Sequence, residues 1–209
     1  MGNKISATGF RIGTTIDWRS KWFSEKKDFS NYLLEDFKIR NFIEKNLSNT
    51  GVENIIIERN LNDITVTLSV ARPGMVIGRQ GSGINILKQD LTKIIEGKKI
   101  SINVEEVKKA ESSAKIIASN ICSQIEKRIH YKKAVLSAIA RAKDQGVMGI
   151  KIVAGGVLGG ANSISRTETY KDGMLPQSTI KQNIEYAKKQ AHPSYGVIGI
   201  RVWVCKNLV

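Results

Sequence analysis

Long apolar runs and cysteines are scarce in this sequence. No stretch of its 209 residues approaches 18 consecutive apolar side chains, and the first ten residues lack the apolar segment of a secretory signal. The two cysteines, Cys122 and Cys205, are too few for a disulfide framework or a four-ligand zinc site. These absences exclude a membrane-spanning protein and a disulfide-stapled secreted domain. They predict a soluble protein of a reducing compartment with no membrane partner.

Catalytic and nucleotide-binding motifs are also lacking. The glycines from Gly78 to Gly83 form GxxGxG, which differs from the dinucleotide-binding GxGxxG, and the chain has no GxxxxGK[ST]. The two histidines, His130 and His192, are far apart in sequence, with no HExxH and no nearby cysteine pair. The sequence therefore predicts a protein that is not an enzyme, with no cofactor and no metal.

Positive charge is what the sequence has in excess. It carries 33 Lys and Arg against 19 Asp and Glu, for a formal net charge of +14. Residues 1–110 hold 18 basic and 13 acidic side chains, whereas residues 111–209 hold 15 and 6. Apolar residues make up 41%, as in a folded protein. Because such a charge repels itself in a compact chain, it favours a polyanionic partner over a merely soluble surface.

The hydrophobic pattern predicts an α+β protein in three segments. Residues 1–35 are interpreted as an extended N-terminal arm. A helix that begins near Asp36, with this residue as its N-cap, opens a second segment over 36–107. There the order is helix, strand, strand, short helix, glycine loop, helix, strand, which gives a three-stranded sheet packed by helices.

The third segment, residues 108–209, is predicted to be a second α+β domain. Helices near 113–130 and 132–145 each bury a stripe of Ile, Ala and Val, and β-branched runs follow them. We expect two helices on an antiparallel sheet. The stretch 179–191 fits either a helix or a strand.

The sharpest local motif is the sequence Gly78-Arg79-Gln80-Gly81, placed directly before a helix. Two glycines three apart leave no Cβ on the outside of the turn, so that a phosphate backbone can approach closely. The helix N-terminus adds N–H donors, and Arg79 and Gln80 point outward. GxxG alone is weak, but with these flanking elements it is the signature of a KH domain of the second, prokaryotic-type topology, whose loop clamps about four nucleotides.

Cations on the outward faces of the two later helices predict a second contact with phosphates. The helices bury an apolar stripe, so their charged residues face away from it. The candidates are Lys127, Arg128, Lys132, Lys133 and Arg141. Charges that complement a helix C-terminus would account for the first two without RNA, but not for a run that continues through Arg141.

Short motifs in a fixed order cover nearly the whole chain. They are Gly2-Asn3-Lys4, Gly9-Phe10-Arg11-Ile12-Gly13, Asp17-Trp18 and Trp22-Phe23 near the start, Ile57-Glu58-Arg59 and the run from Ala71 to Gly78 in the middle, and Leu158-Gly159-Gly160-Ala161, Arg166-Thr167-Glu168, Leu175-Pro176 and the run from Tyr195 to Trp203 toward the end. In this order they resemble the bacterial-type ribosomal protein S three family of the small subunit.

The resemblance implies a KH domain followed by a smaller α+β domain, bound to small-subunit rRNA in the subunit head. It also implies neighbouring head proteins as partners, a cytoplasmic or organellar ribosome as the location, and a place where mRNA enters the subunit. Lys4, Arg11 and the second-domain cations, with Lys151 and Arg166 among them, would fix rRNA backbone. Arg72, Arg79, Lys132 and Lys133 would line the mRNA side, with Gly78, Gln80 and Gly81 in the RNA-binding loop.

Three positions depart from the family pattern. Leu136 stands where a third basic residue is usual beside Lys132 and Lys133. Val157 replaces a customary basic residue, and Ala7 stands where the arm normally has proline. The resemblance implies that the basic helix residues help to unwind incoming mRNA, and these departures weaken individual contacts, above all that unwinding. The alternative function is a free-standing KH regulator or a ribosome-assembly factor, which would share GxxG but lack the arm and the second domain.

Overall fold

Buried apolar side chains form two separate cores, and each core belongs to its own compact unit. The computed structural model describes residues 5–60, 63–95, 98–159 and 164–206. Residues 18–108 form the central unit, and the described parts of 1–17 and 109–209 form the terminal unit. Residues 5–17 thus pack with the described part of the second half of the chain. The predicted division into arm, KH domain and C-terminal domain stays a prediction.

The central unit has the predicted order of elements. Its strands and helices are β1 (Ser20–Lys21), α1 (Lys26–Asn46), β2 (Val52–Arg59), β3 (Asp63–Val70), α2 (Pro73–Ile77), α3 (Ser82–Ile94) and β4 (Lys99–Glu106). The sheet order is β1-β2-β3-β4, with β2 and β3 antiparallel and the other pairs parallel. The two-residue β1 is an addition to the three strands that the sequence predicts.

Alternation along β3 shows why this sheet forms. Ile64, Val66, Leu68 and Val70 are all buried on one face, while the threonines and serine between them are half-buried on the other. Helix α3 packs Leu87 and Leu91 into the same core. The period of two in the strand and of about four in the helix thus bring one apolar surface together.

The start of α1 differs from the prediction. The helix begins at Lys26 rather than near Asp36, so Asp36 lies inside it and is not an N-cap. Asp36 is buried and accepts hydrogen bonds from Ser20 Oγ and Trp22 Nε1, both at 2.9 Å, and from the Arg59 guanidinium. The first turns of α1 carry exposed apolar side chains, which hide the stripe that marks an amphipathic helix.

The terminal unit has two helices on one antiparallel sheet, as predicted. Its elements are α4 (Ala114–Glu126), α5 (Tyr131–Asp144), β5 (Gly149–Gly156), β6 (Arg166–Gly173), β7 (Ile184–Ala191) and β8 (Ile198–Cys205). The strand order is β6-β5-β8-β7. The helices cover one face of the sheet, where Ile117 and Ala138 pack with Ile152, Ile200 and Val202. The ambiguous stretch 179–191 contains strand β7.

Residues 5–17 form turns rather than an extended arm. A short bridge joins Ile12 to Ile16, and three backbone N–H groups, from Thr14 to Ile16, donate to the Arg11 carbonyl. Arg11 itself is completely buried in the terminal unit. Among the described residues, no helix combines the length and the apolar character needed to cross a membrane.

Candidate nucleic-acid interface

The GxxG loop joins α2 to α3 and has the backbone that its glycines predict. Gly78 and Gly81 have φ angles of +70° and +79°, and Gln80 between them has +51°. A Cβ on Gly78 would lie 2.9 Å from the backbone nitrogen of Gly83, so this position excludes a side chain on steric grounds as well. Gly78, Arg79 and Gln80 are exposed at the surface. The loop can therefore present its backbone to a phosphate chain.

Cations flank this loop on its exposed side. Arg79 projects from the loop, and Arg72 immediately precedes α2; both residues are exposed. Val76 anchors α2 in the core, whereas Met75 and Ile77 beside it stay exposed. The structure thus brings together two basic groups and an apolar surface around GxxG, the combination that suits a nucleic-acid backbone and its bases.

A second group of cations lies at the junction of α4 and α5. Helix α4 ends at Glu126 and α5 starts at Tyr131, both earlier than predicted, so that Lys127 and Arg128 lie in the connecting turn. We call Lys127, Arg128, Lys132 and Lys133 the α5 basic surface; all four are exposed. Leu136 is 56% exposed one turn after Lys132. It therefore places an apolar side chain where a third cation would extend this surface.

Arg141 differs from the other helix cations. Its side chain is half-buried, and its guanidinium lies 3.5 Å from a carboxylate oxygen of Glu111. It also donates to the Ser137 carbonyl at 3.4 Å. The contact with Glu111 ties α5 to the segment before α4, so this arginine takes part in packing and contributes little free charge to the α5 basic surface.

Arg11 is a correction to the sequence-based expectation. Its guanidinium is buried and donates to four backbone carbonyls, those of Ala7, Gln177, Thr179 and Gln182, at 2.8 to 3.0 Å. Burial lowers the pKa of this arginine. It has no surface left for a phosphate, because its donors hold the arm to the 177–182 segment. Lys4, the other predicted contact of the arm, lies outside the described residues.

Lys151 and Arg166 lie on the sheet of the terminal unit. Lys151 is half-buried on β5, with its Nζ 5.4 Å from the centre of the Trp203 ring. Arg166 is exposed at the start of β6. Two neighbouring cations, Lys188 on β7 and Arg201 on β8, are not predicted from the sequence; they are paired across these strands and exposed. The alternation along β7 could have pointed to Lys188 once 184–191 was assigned as a strand.

His130 contacts the backbone at the start of α5, and both cysteines are buried in the fold. His130 precedes α5, where its Nδ1 accepts a hydrogen bond from the Lys132 backbone at 3.3 Å. Both cysteines are buried, and burial raises the pKa of Cys122 to about 12, which suppresses its thiolate at neutral pH. Within the described ranges, no group of three or more His, Cys, Asp and Glu could hold a metal ion.

The carboxylate of Glu168 on β6 accepts hydrogen bonds from two tyrosines. Hydrogen bonds from the hydroxyls of Tyr170, at 2.7 Å, and Tyr131, at 3.0 Å, lower the pKa of Glu168. Burial and the bond to Glu168 raise the pKa of Tyr170. The group joins β6 to the first residue of α5 and so fixes the helix that carries Lys132 and Lys133.

These features define a class of protein: an RNA-binding protein of the KH type, with a second α+β domain that carries additional cations. The KH domain family matches residues 38–112, and the C-terminal domain of ribosomal protein S3 matches residues 121–204. The two matches fall on the two halves of the chain that the fold separates.

Curated relatives extend the similarity to almost the full length. The small ribosomal subunit protein uS3 of Caldicellulosiruptor saccharolyticus is 47% identical over 99% of this chain and 93% of its own. Those of Clostridium botulinum and Pelagibacter ubique are 46% and 44% identical over all of this chain and over 93% and 92% of theirs. The chain belongs to the uS3 family of small ribosomal subunit proteins, a family of structural proteins rather than enzymes.

Proposed function

We propose that this chain is a structural constituent of the small ribosomal subunit that binds rRNA in the subunit head and contacts mRNA where it enters the subunit. The similarity to uS3 proteins over nearly the full length of the chain supports the first part. The observation that carries the second part is the exposure of Lys132 and Lys133 side by side at the start of α5. Here both ammonium groups can reach a phosphate chain.

The two RNA-facing regions have different tasks in this proposal. The GxxG loop, with Arg72 and Arg79, approaches an RNA backbone through main-chain groups. The α5 basic surface holds phosphates by charge alone, because its lysines have no fixed geometry for reading bases. The protein would thus position RNA irrespective of sequence, as a channel that accepts every message requires.

Neighbouring proteins of the head are the other proposed partners. Helix α1 exposes large apolar side chains that its own unit leaves uncovered. They are Phe29, Leu33, Leu34 and Phe37, each between 50% and 62% exposed. Four such residues along two turns form an apolar patch of the kind that proteins bury against other proteins.

Charge reversal at Lys132 and Lys133 tests the contact with mRNA. We expect ribosomes with K132E/K133E to translate messages with a stable hairpin several-fold more slowly, and unstructured messages at the normal rate, because the cations would stabilise strands as they separate. Subunit assembly should be intact, since both side chains are exposed. The measurement is translation of matched messages with and without the hairpin.

The control is K26E/K27E. Lys26 and Lys27 are likewise adjacent, exposed lysines in the first turn of a helix, but they lie on α1 of the central unit and belong to neither proposed RNA region. The control should translate both messages normally. If K132E/K133E also translates both messages equally well, the proposed contact with mRNA is wrong.

A further inference from the structure

The sheet of the terminal unit sorts its charges between its two faces. The helices α4 and α5 cover one face, and we call the opposite one the open sheet face. Positions that point to the open sheet face include four cations, Lys151, Lys171, Lys188 and Arg201, and among the described strand residues no Asp or Glu does so. This segregation makes one face strongly basic.

The acidic residues of the same strands all turn toward the helices, where each has a partner. Glu168 accepts from Tyr131 of α5, and Asp172 pairs with Lys143 of α5 at 2.5 Å. Glu185 accepts from the backbone nitrogen of Ala114 at the start of α4. Because these carboxylates are fixed on the far side of the sheet, they do not neutralise the open sheet face.

A cleft of about 450 Å³ lies on this face, where β5 contributes Gly155 and Gly156 and β8 contributes Gly199. Gly155 and Gly199 are paired across the two strands and form its floor. Lys188 and Arg201 stand beside it on this face, whereas Arg166 lines its end from the helix side of β6, in line with Glu168. The missing side chains leave room for a ligand to reach the backbone, and the two cations at its edge select an anion.

Hydroxyls and aromatic rings complete the surroundings of the cleft. Ser165 and Thr167 line one side and can donate hydrogen bonds to an anion. Tyr186 lines the other side, and its ring lies 5.0 Å from that of Trp203, which in turn lies beneath Lys151. Aromatic side chains next to cations are the combination that single-stranded nucleic acid uses, with a base on the ring and a phosphate on the charge.

We propose that the open sheet face is a second RNA-binding site, in which the cleft takes a backbone phosphate of single-stranded RNA and the Tyr186–Trp203 pair takes an adjacent base. An acidic peptide would use the cations but would have no use for the aromatic pair. The choice of RNA as ligand rests on the proposed function, but the site uses different residues. The α5 basic surface belongs to the helix layer, so the two sites are tested by separate substitutions.

The first test neutralises two cations of the cleft in the full-length chain. Binding of a fluorescein-labelled 12-nucleotide oligouridine is measured by anisotropy over a series of KCl concentrations. We expect K188Q/R201Q to bind about five- to tenfold more weakly at low salt, with the slope of log K against log[KCl] reduced by about 0.7, since the cleft holds one phosphate and each phosphate contact of a single strand contributes about 0.7.

The matched control is K189Q. Lys189 is the next residue on β7, but it points to the helix side, where its Nζ contacts Ser119 Oγ at 2.6 Å. K189Q removes one positive charge from the residue next to Lys188, but from the opposite face of the sheet. It should change the slope by less than about 0.3, since it removes no phosphate contact. If K188Q/R201Q behaves like K189Q, the open sheet face does not bind RNA and the proposal fails.

A second variant fills the cleft without changing any charge. Gly199 has a backbone conformation open to any residue, and a Cβ there would meet only the Gly155 carbonyl oxygen, at 3.7 Å. G199V should therefore keep the melting temperature of the parent and still bind RNA at least threefold more weakly. Parent-like binding by a normally folded G199V contradicts the proposal; if this variant does not fold, the charge variants decide.

Competition identifies the ligand. Amide signals of Gly155 and Gly199 are followed by NMR during titration with the oligouridine, with inorganic phosphate and with polyglutamate of equal charge. We expect the oligouridine to shift these signals at the lowest concentration per negative charge. Saturation by inorganic phosphate or by polyglutamate at an equal or lower concentration would mark a free-anion or acidic-protein site instead and would overturn the proposal.

The two proposals fail separately. If K132E/K133E has normal translation but K188Q/R201Q loses RNA affinity, the contact of α5 with mRNA is wrong and the open sheet face stands. If the reverse holds, the α5 basic surface stands and the open sheet face does not bind RNA.

Discussion

At the scale of residues, similar cations do different work according to what surrounds them. Lys132 and Lys133 are exposed and can contact a phosphate, whereas the Arg11 guanidinium donates hydrogen bonds to four carbonyls inside the terminal unit. Arg141 lies between these cases, half-buried and beside Glu111. A count of basic residues therefore overstates the charge available to RNA.

Replacement of Arg11 should destabilise the terminal unit. R11A leaves four carbonyls without their donor, and we expect the free energy of unfolding to fall by about 2–4 kcal/mol. R11K should lose most of the same stability, because an ammonium group cannot reproduce the planar fork of donors. Urea unfolding followed by circular dichroism measures both variants.

The control for this loss is K181A, which removes an exposed cation near the same segment. It should change stability by less than about 0.5 kcal/mol. A stable R11A protein would mean that the arm contributes nothing to the terminal unit.

The roles of Lys132 and Arg11 differ in how far the sequence predicts them. Lys132 follows from helical periodicity, because its neighbours Ala134, Val135 and Ala138 mark the buried face locally. The burial of Arg11 depends on carbonyls that lie 166 to 171 positions further along the chain. No local pattern carries such information.

At the scale of elements, the GxxG loop was predicted from its glycines, and the structure separates their roles. Gly78 and Gly81 both have positive φ angles, but only at Gly78 does a Cβ approach another backbone atom closely. At Gly81 the space for a Cβ is open. A side chain at Gly81 would therefore meet backbone strain alone, whereas a side chain at Gly78 would meet both backbone strain and a steric clash.

We expect G81A to cost about 1 kcal/mol of stability, from the positive φ alone. G78A should cost more, by about a further 1–2 kcal/mol, since its Cβ would also push against Gly83. Thermal or urea unfolding of the two variants measures the difference. Equal losses would show that the approach to Gly83 relaxes without cost.

Helix α1 shows why an element boundary could be misplaced. Its buried residues, Asp36, Ile39 and Ile43, all lie in the second half of the helix, and they gave the predicted start near residue 36. The first half exposes Phe29 and Leu33. Exposed apolar residues in the first half mask the period on which the prediction depends.

At the scale of the whole molecule, charge and architecture together favour a permanent member of a ribonucleoprotein. The formal net charge of +14 needs many phosphates nearby, and the two units present basic groups on separate elements. A transient regulator could share the GxxG loop. It would not need cations on both units and on the open sheet face.

Sedimentation distinguishes a constituent from a factor. We expect the chain to remain with small subunits at one copy each after a wash in about 0.5 M salt, because many contacts must break together before it leaves. An assembly factor held by a few ion pairs would wash off. Release of most of the chain at this salt concentration would favour the alternative function.

The burial of Arg11 also bears on how the chain is made. Its hydrogen bonds to Gln177, Thr179 and Gln182 close a loop that contains the entire central unit. Since a protein is synthesised from its N-terminus, the central unit can fold before residues 177–182, which supply the acceptors for Arg11, have been made. The segment around Arg11 is therefore made before the central unit but can reach its native position only after residues 177–182 have been made.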